Sequence, residues 1–187
     1  MSATAAVQDG LAFPGDGLRD GDVALRLPTA DDAATLATAF QDPEIGGPGN
    51  LPPLDEDDLR VFAQETLPEW MASGRLLPLV VCDPSGEILG GGTLHHLDRE
   101  RSVVELGYWL FPHARGRGVA TRVARLLAAH AFSLGIERVT AMVDVGHVAS
   151  ERVLERAGFT REGVLRSMPR ADGTRADRTI FSLLPGE

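Results

Sequence analysis

The chain has 187 residues, 43% of them hydrophobic and 24% charged, which suits one soluble domain with its own core. Its formal net charge of -9 argues against nonspecific nucleic-acid binding, and its single cysteine excludes an internal disulfide framework. No run approaches the ~20 apolar residues of a membrane span, and the first residues lack a basic region followed by an apolar one. A cytoplasmic protein with no membrane and no nucleic-acid partner is therefore expected.

Residues 1–21, rich in Gly, Ala and Asp, read as a flexible N-terminal arm, with "GLAF" able to form a short edge strand. "DVALRLPT" alternates as a strand does, and Thr29 is placed to cap a helix through "ADDAATLATAFQ". "DPEIGGPGNLPPL" reads as a loop, and "DEDDLRVFAQETLPEWMASG" as a second helix that opens on acids, stops at Gly74 and is open to a split at Pro68. Three strands follow, "LLPLVVCD", "EILGGGTLHHLD" and "SVVELGYWLFP", joined by turns at "PSG" and "RER". Cys82, inside the first of them, reads as a small core residue. A long helix from about Gly116 to Leu134 carries Val119, Val123, Leu126, Leu127, Ala131 and Leu134 on one face.

"ERVTAMVDV" is then a strand and "VASERVLERA" a helix. Gly158 suits the left-handed stop of that helix, with Phe159 folding back on its last turn. Two strands, "GFTREGVLRSMP" and "TRADRTIFSLL", close the chain around a turn at "ADG". The order β-α-α-β-β-β-α-β-α-β-β predicts a single α/β domain with a mixed sheet over residues 22–187.

The stretch "YWLFPHARGRGVAT" runs from strand through turn into helix. The first turn of a helix leaves N–H groups unpaired, with the positive end of the macrodipole behind them. Gly116 and Gly118 bare the backbone, Ala120 keeps the next turn slim, and Arg115 and Arg117 can add charge-assisted bonds. Such a turn suits a diphosphate; a loop whose arginines merely face water is the plainer alternative. Neither the P-loop pattern nor the Gly-x-Gly-x-x-Gly of a dinucleotide fold is present.

The pattern Arg115-x-x-Gly118-x-Ala120 after "ELGYWLFP" resembles the acetyl-CoA pyrophosphate loop of the GCN5-related N-acetyltransferase (GNAT) superfamily. "VDVGHVASERVLERAGF" resembles the second signature of its RimJ/RimL-type branch, which acetylates ribosomal-protein alanines. The resemblance runs from about Arg26 to Leu183. It implies a splayed central sheet, with acetyl-CoA as co-substrate in a V-shaped gap between the strands through Phe111 and Val143. It further implies that Leu110 and Phe111 hold the pantetheine arm, and that Arg115, Gly116, Arg117, Gly118, Val119 and Ala120 hold the diphosphate. A homodimer is common in such a family, and nothing in the chain requires one.

Acetyl transfer needs a neutral amine, and an alkyl ammonium of reference pKa ~10.4 is almost wholly protonated at neutral pH. Glu105, a carboxylate in the otherwise apolar "SVVELGYWL", is the candidate base, and the resembling branch carries Glu there. A sheet glutamate paired with an arginine is the alternative. The superfamily's usual tyrosine donor falls at Leu154, so Ser150 is the candidate donor to the departing sulfur and a cofactor contact, unless it is simply a first-turn helix serine. His147 stands where the branch usually has Asn, a better helix cap; it is a candidate cofactor contact.

No metal ligands are assigned. His95 and His96 are adjacent on a strand and would project to opposite faces, while His113 and His130 read as turn and helix residues. The acceptor is a primary amine, on a small molecule or at a peptide or protein N-terminus, and in the resembling fold the loop and second helix, "PEIGGPGNLPPLDEDDLRVF", form one wall of its site. Asp55, Glu56, Asp57 and Asp58 either greet its cation or favour the positive helix end, and the second fits better. Trp70 reads as core. A non-catalytic acyl-CoA-binding module of the same fold is the alternative to an enzyme.

Overall fold

The computed structural model describes residues 10–42, 45, 54–170 and 173–187. The expected acceptor-wall loop and the residues 1–9 lie largely outside that set. The strands are β1 (Leu18–Asp20), β2 (Val23–Arg26), β3 (Leu76–Cys82), β4 (Ile88–Asp98), β5 (Val103–Leu110), β6 (Arg138–Asp144), β7 (Thr160–Pro169) and β8 (Arg175–Leu183). They form one mixed sheet in the order β1-β2-β3-β4-β5-β6-β8-β7, and every pair is antiparallel except β5–β6. The helices are α1 (Ala33–Gln41), α2 (Glu56–Val61), α3 (Leu67–Ala72), α4 (Val119–Ser133) and α5 (Val148–Ala157).

The sheet divides the hydrophobic residues between its faces. On one face Leu77, Leu79, Val81, Leu94, Val104 and Leu106 pack with α4 residues such as Val123 and Leu127. On the other, Val80 meets Ala33, Leu36 and Leu59, with Trp109 packed against them. Alternation of the strand residues thus builds two helix layers on one sheet. The glycines of "ILGGG" in β4 serve the same packing: a Cβ on Gly91 would lie 2.5 Å from Trp109 Nε1.

Local signals explain the helix ends. Asp55 accepts from the Asp58 N–H at 2.9 Å, and Glu56 pairs with Arg60 at 2.6 Å, so these acids begin α2 rather than wait for a cation. Pro68 does not break the second helical run. A π segment at Phe62–Thr66 joins α2 to α3, and the Leu67 N–H reaches back to Phe62 O just before Pro68, which has no N–H to give. Asp32, buried at the start of α1, accepts from Thr29 N–H at 2.7 Å and holds both Arg26 Nη atoms at 2.6 Å, which ties α1 to β2. Gly158 ends α5 at φ 102°, and the Phe159 N–H returns to Leu154 O at 3.0 Å. Trp70 is only half-buried, against Phe62 and with the Arg75 guanidinium 4.0 Å over its ring.

Residues 10–20, within the described part of the expected arm, pack against the rest of the domain. Leu11 is 0% exposed, and its N–H donates to Met71 O at 2.8 Å. Leu18–Asp20 pairs with β2 as an edge strand, downstream of "GLAF". His130 on α4 holds this segment: Nε2 donates to Ala12 O at 2.8 Å, and Phe13 meets the ring edge-on. The lone Leu11 and a contact 118 residues away in sequence give no periodic signal.

Burial pushes the His130 pKa below its ordinary 6.5, against a smaller opposing pull from the Ala12 carbonyl. The unfolded chain accepts a proton near pH 6.5 that the folded chain resists, so this residue's contribution is complete above that pH and falls as the pH drops. Urea unfolding at about pH 7.5 and about 5.5 should show a larger loss for the wild type than for His130→Gln. Equal losses would remove His130 from that role.

Candidate active site

β5 and β6 are hydrogen-bonded over only three residues each, Val103–Glu105 against Arg138–Thr140. Beyond that point β5 continues to Leu110 paired with β4 alone, and β6 continues to Asp144 paired with β8 alone. The two strands part at Glu105 and Thr140. Among the described residues no strand pairs with the second edge of β5 from Leu106 onward, an edge an extended ligand could follow.

The glycine turn lies at the end of that edge. After Leu110 the chain makes a short 3-10 turn at Pro112–Ala114, and Gly116 and Gly118 take φ 75° and 76° before α4 begins at Val119. Two left-handed residues so close together keep 116–118 out of the helix, so α4 starts two to three residues later than its sequence pattern suggests. A Cβ on either glycine would meet nothing within 4 Å, so the backbone conformation, not crowding, demands them. The N-cap of α4 is Gly118, which has no side chain to cap the first turn. Arg115 Nε donates to Leu110 O at 3.1 Å, tying the turn to β5, and Arg117 is exposed. Arg122 pairs with Asp22, and Arg125 donates to Arg156 O at the end of α5, so both fasten α4 to its neighbours.

Across the opening, α5 starts at His147. Its Nδ1 accepts the Ser150 N–H at 3.1 Å, so this histidine does cap the helix, contrary to the sequence expectation. Ser150 is in turn held by Tyr108 of β5: the two hydroxyls lie 2.8 Å apart, and the phenol also reaches Ser150 O at 3.2 Å. Burial raises the Tyr108 pKa to about 12, against a smaller lowering by Ser150, so the phenol keeps its proton and donates. Leu154, at the superfamily's tyrosine position, is fully buried. At the end of β6, Asp144 pairs with Arg170 and, at 3.2 Å, with Arg178.

Glu105 stands at the point of parting, its side chain 14% exposed. It faces two histidines rather than an arginine. His95 Nε2 is 3.6 Å from one carboxylate oxygen and His96 Nδ1 is 3.4 Å from the other. The expectation that adjacent histidines project oppositely fails because β4 carries a bulge: His95 pairs with Glu105 and Asp98 with Val103, leaving one extra residue. His96 takes φ 54° there, which turns its ring beside that of His95, 4.6 Å between centroids. Burial raises the Glu105 pKa, but the hydrogen bonds and charge of His95 and His96 outweigh it and hold the carboxyl below its usual value.

Glu105 and Tyr108 lie at odd and even positions of β5, so they serve opposite faces of the sheet. A depression of 510 Å³ lined by Asp31, Thr35, Glu87, Phe111 and His113 lies beside α1; of the groups above it includes only Phe111. His113 there is 3.4 Å from Glu87, with both side chains exposed.

Residues 22–160 match the family described as Acetyltransferase (GNAT) domain. The chain belongs to this family. Its relatives and structural neighbours include ribosomal-protein acetyltransferases of the RimJ/RimL kind. A Bacillus subtilis (strain 168) protein named as a ribosomal N-acetyltransferase, YdaF, is 36% identical over 54% of this chain and 56% of its own length. The N-acetyltransferase p20 of Bacillus licheniformis is 27% identical over 87% of this chain and 93% of its own. Mycobacterium smegmatis RimJ, solved with a CoA disulfide, superposes with a TM-score of 0.78 at 24% identity, covering 88% of this chain and 83% of its own. The GNAT fold is therefore the fold of this chain, with its two halves splayed at β5 and β6.

Tyr108, His95 and His96 are the groups that sequence reasoning missed. Tyr108→Phe removes the bonds to Ser150 without changing the packing, so it should cost about 1 kcal/mol of stability by denaturant titration. No loss of stability would mean that the phenol does not hold Ser150.

Proposed function

We propose that this GNAT-family N-acetyltransferase moves the acetyl group of acetyl-CoA directly to a primary amine, within one ternary complex. The observation that carries the reading is the open edge of β5 from Leu106 to Leu110, which runs toward the glycine turn at the start of α4. An extended pantetheine arm pairs with the edge of β5 up to Leu110, while Phe111, which gives its N–H to Leu89 O and accepts the Ala114 N–H, borders it. Its diphosphate takes the amides of Gly116–Ala120 at the positive helix end, with Arg115 and Arg117 around it. Val119 and Ala120 keep that approach narrow, and His147 borders the arm from the start of α5.

Chemistry follows from the two faces of β5. The amine nitrogen attacks the thioester carbonyl carbon, the carbon–sulfur bond breaks, and the thiolate leaves. Ser150, oriented by Tyr108, donates a hydrogen bond to that sulfur. A phenol near pKa 12 gives no proton to a thiolate of pKa ~8.5, so Tyr108 positions the serine and does not act as the acid. The amine proton passes to Glu105 and its histidines, directly or through water. A carboxylate held low in pKa is a weak acceptor alone, and the imidazoles at its oxygens offer a route onward for the proton.

The names of the relatives support a peptide or protein N-terminus as acceptor and a cytoplasmic setting. Thiol release from acetyl-CoA should appear with one class in a panel of N-terminal peptides, polyamines, aminoglycosides and amino acids. Glu105→Gln should keep CoA affinity and lose turnover by roughly 100-fold or more. Gly118→Trp should instead weaken CoA binding. Bound acetyl-CoA with no release across the panel would favour a binding module; wild-type CoA affinity in Gly118→Trp and Arg115→Ala would remove the diphosphate assignment.

A further inference from the structure

We propose that His95, His96 and Glu105 form a three-ligand site for one late first-row divalent ion, with Zn²⁺ the best fit. One ligand atom each from His95, His96 and Glu105 lies within 4.8 Å of the other two. The two imidazole-to-carboxylate distances, 3.6 and 3.4 Å, are too long for strong charge-assisted hydrogen bonds, which run about 2.7–2.9 Å. They run to the two different carboxylate oxygens, and each is close to the tetrahedral edge of about 3.3 Å around an ion with bonds of 2.0–2.1 Å. Two imidazoles and one carboxylate form a borderline donor set that selects zinc-like ions over Mg²⁺ or Ca²⁺.

Three further features belong to such a site. His95 Nδ1 lies 3.3 Å from Thr93 Oγ1. With that nitrogen donating to Thr93, Nε2 turns its lone pair to the carboxylate, an arrangement completed by a cation between them. His96 holds φ 54°, a conformation unfavourable for a non-glycine residue, kept here in the bulge that brings its ring to Glu105. Access is graded, from Glu105 and His95, mostly buried, to His96, 77% exposed, so an ion has an entry path and an open fourth position.

Binding of the ion is measured without acetyl-CoA or an amine; an ion on Glu105 and both imidazoles occupies the groups that take the amine proton in the acetyl-transfer reading, so the loaded site and proton acceptance there exclude one another. The test uses untagged full-length protein, stripped with a chelator and titrated with Zn²⁺ against a chromophoric competitor. Co²⁺ absorption reports the geometry. One equivalent of Zn²⁺ should bind at micromolar concentration or below, with a tetrahedral Co²⁺ spectrum. His95→Ala and His96→Ala should each weaken binding by more than about 100-fold, beyond the 10–100-fold usual for outer-shell partners. His113→Ala, which removes the other close imidazole–carboxylate pair, should leave it unchanged. His96 is largely exposed, so its replacement tests the site without threatening the core. Failure of the wild type to compete for Zn²⁺, or near-wild-type affinity in both histidine variants, would overturn the proposal.

Discussion

The short seam between β5 and β6 is the constraint on which the rest of the molecule depends. Three residues on each strand join a block made of β1–β5 to a block made of β6, β8 and β7. Each block is antiparallel and paired along its length, so each keeps its own twist. Past Glu105 and Thr140 the two directions diverge, and no strand fills the wedge. Other elements hold the blocks together. Helix α4 packs on β4 and β5, and α5 leans on α4, where Arg125 of α4 reaches the end of α5 at Arg156. The opening is thus a product of strand pairing, and every group of the candidate site stands on its rim.

Charge is distributed to suit that opening. A chain of net charge -9 keeps most of its acids in local work: Asp55 and Asp58 at the start of α2, Asp32 on Arg26, Asp22 on Arg122. The turn at 115–118 therefore presents guanidinium groups and bare amides where the N-cap glycine has no side chain to cap the helix. Glu105 is the reverse case, a mostly buried carboxylate whose partners are titratable imidazoles instead of a permanent cation. An arginine there would fix the proton inventory of the site; imidazoles leave it adjustable.

Most of the architecture was legible because periodicity and turn chemistry agree in this sequence. The order of strands and helices, the glycine stop at Gly158 and the mixed α/β sheet all follow from local pattern. What escaped was set by longer-range or irregular geometry. The bulge at His95–Asp98 reverses the face rule for one residue, and nothing in "LHHLD" announces it. Tyr108 and Ser150 meet across 42 residues, so no spacing links them. Leu11 is fully buried inside a segment of Gly, Ala and Asp that offers no repeat to read. His147 caps α5 through a ring nitrogen, a use of histidine that residue preferences rank low.

The single parallel seam also orders assembly of the chain. β3, β4 and β5 follow one another through short turns, as do β7 and β8, so these contacts close small loops. Val103 and Arg138 are separated by the whole of α4, and β6 meets β8 only after α5 and β7 have been made. Loop-closure entropy places such pairings late. By the same reasoning β2 and β3, joined as Ala24 with Cys82 across a longer stretch of chain, also pair late, so the sheet around Glu105 depends on distant closures on both sides of it.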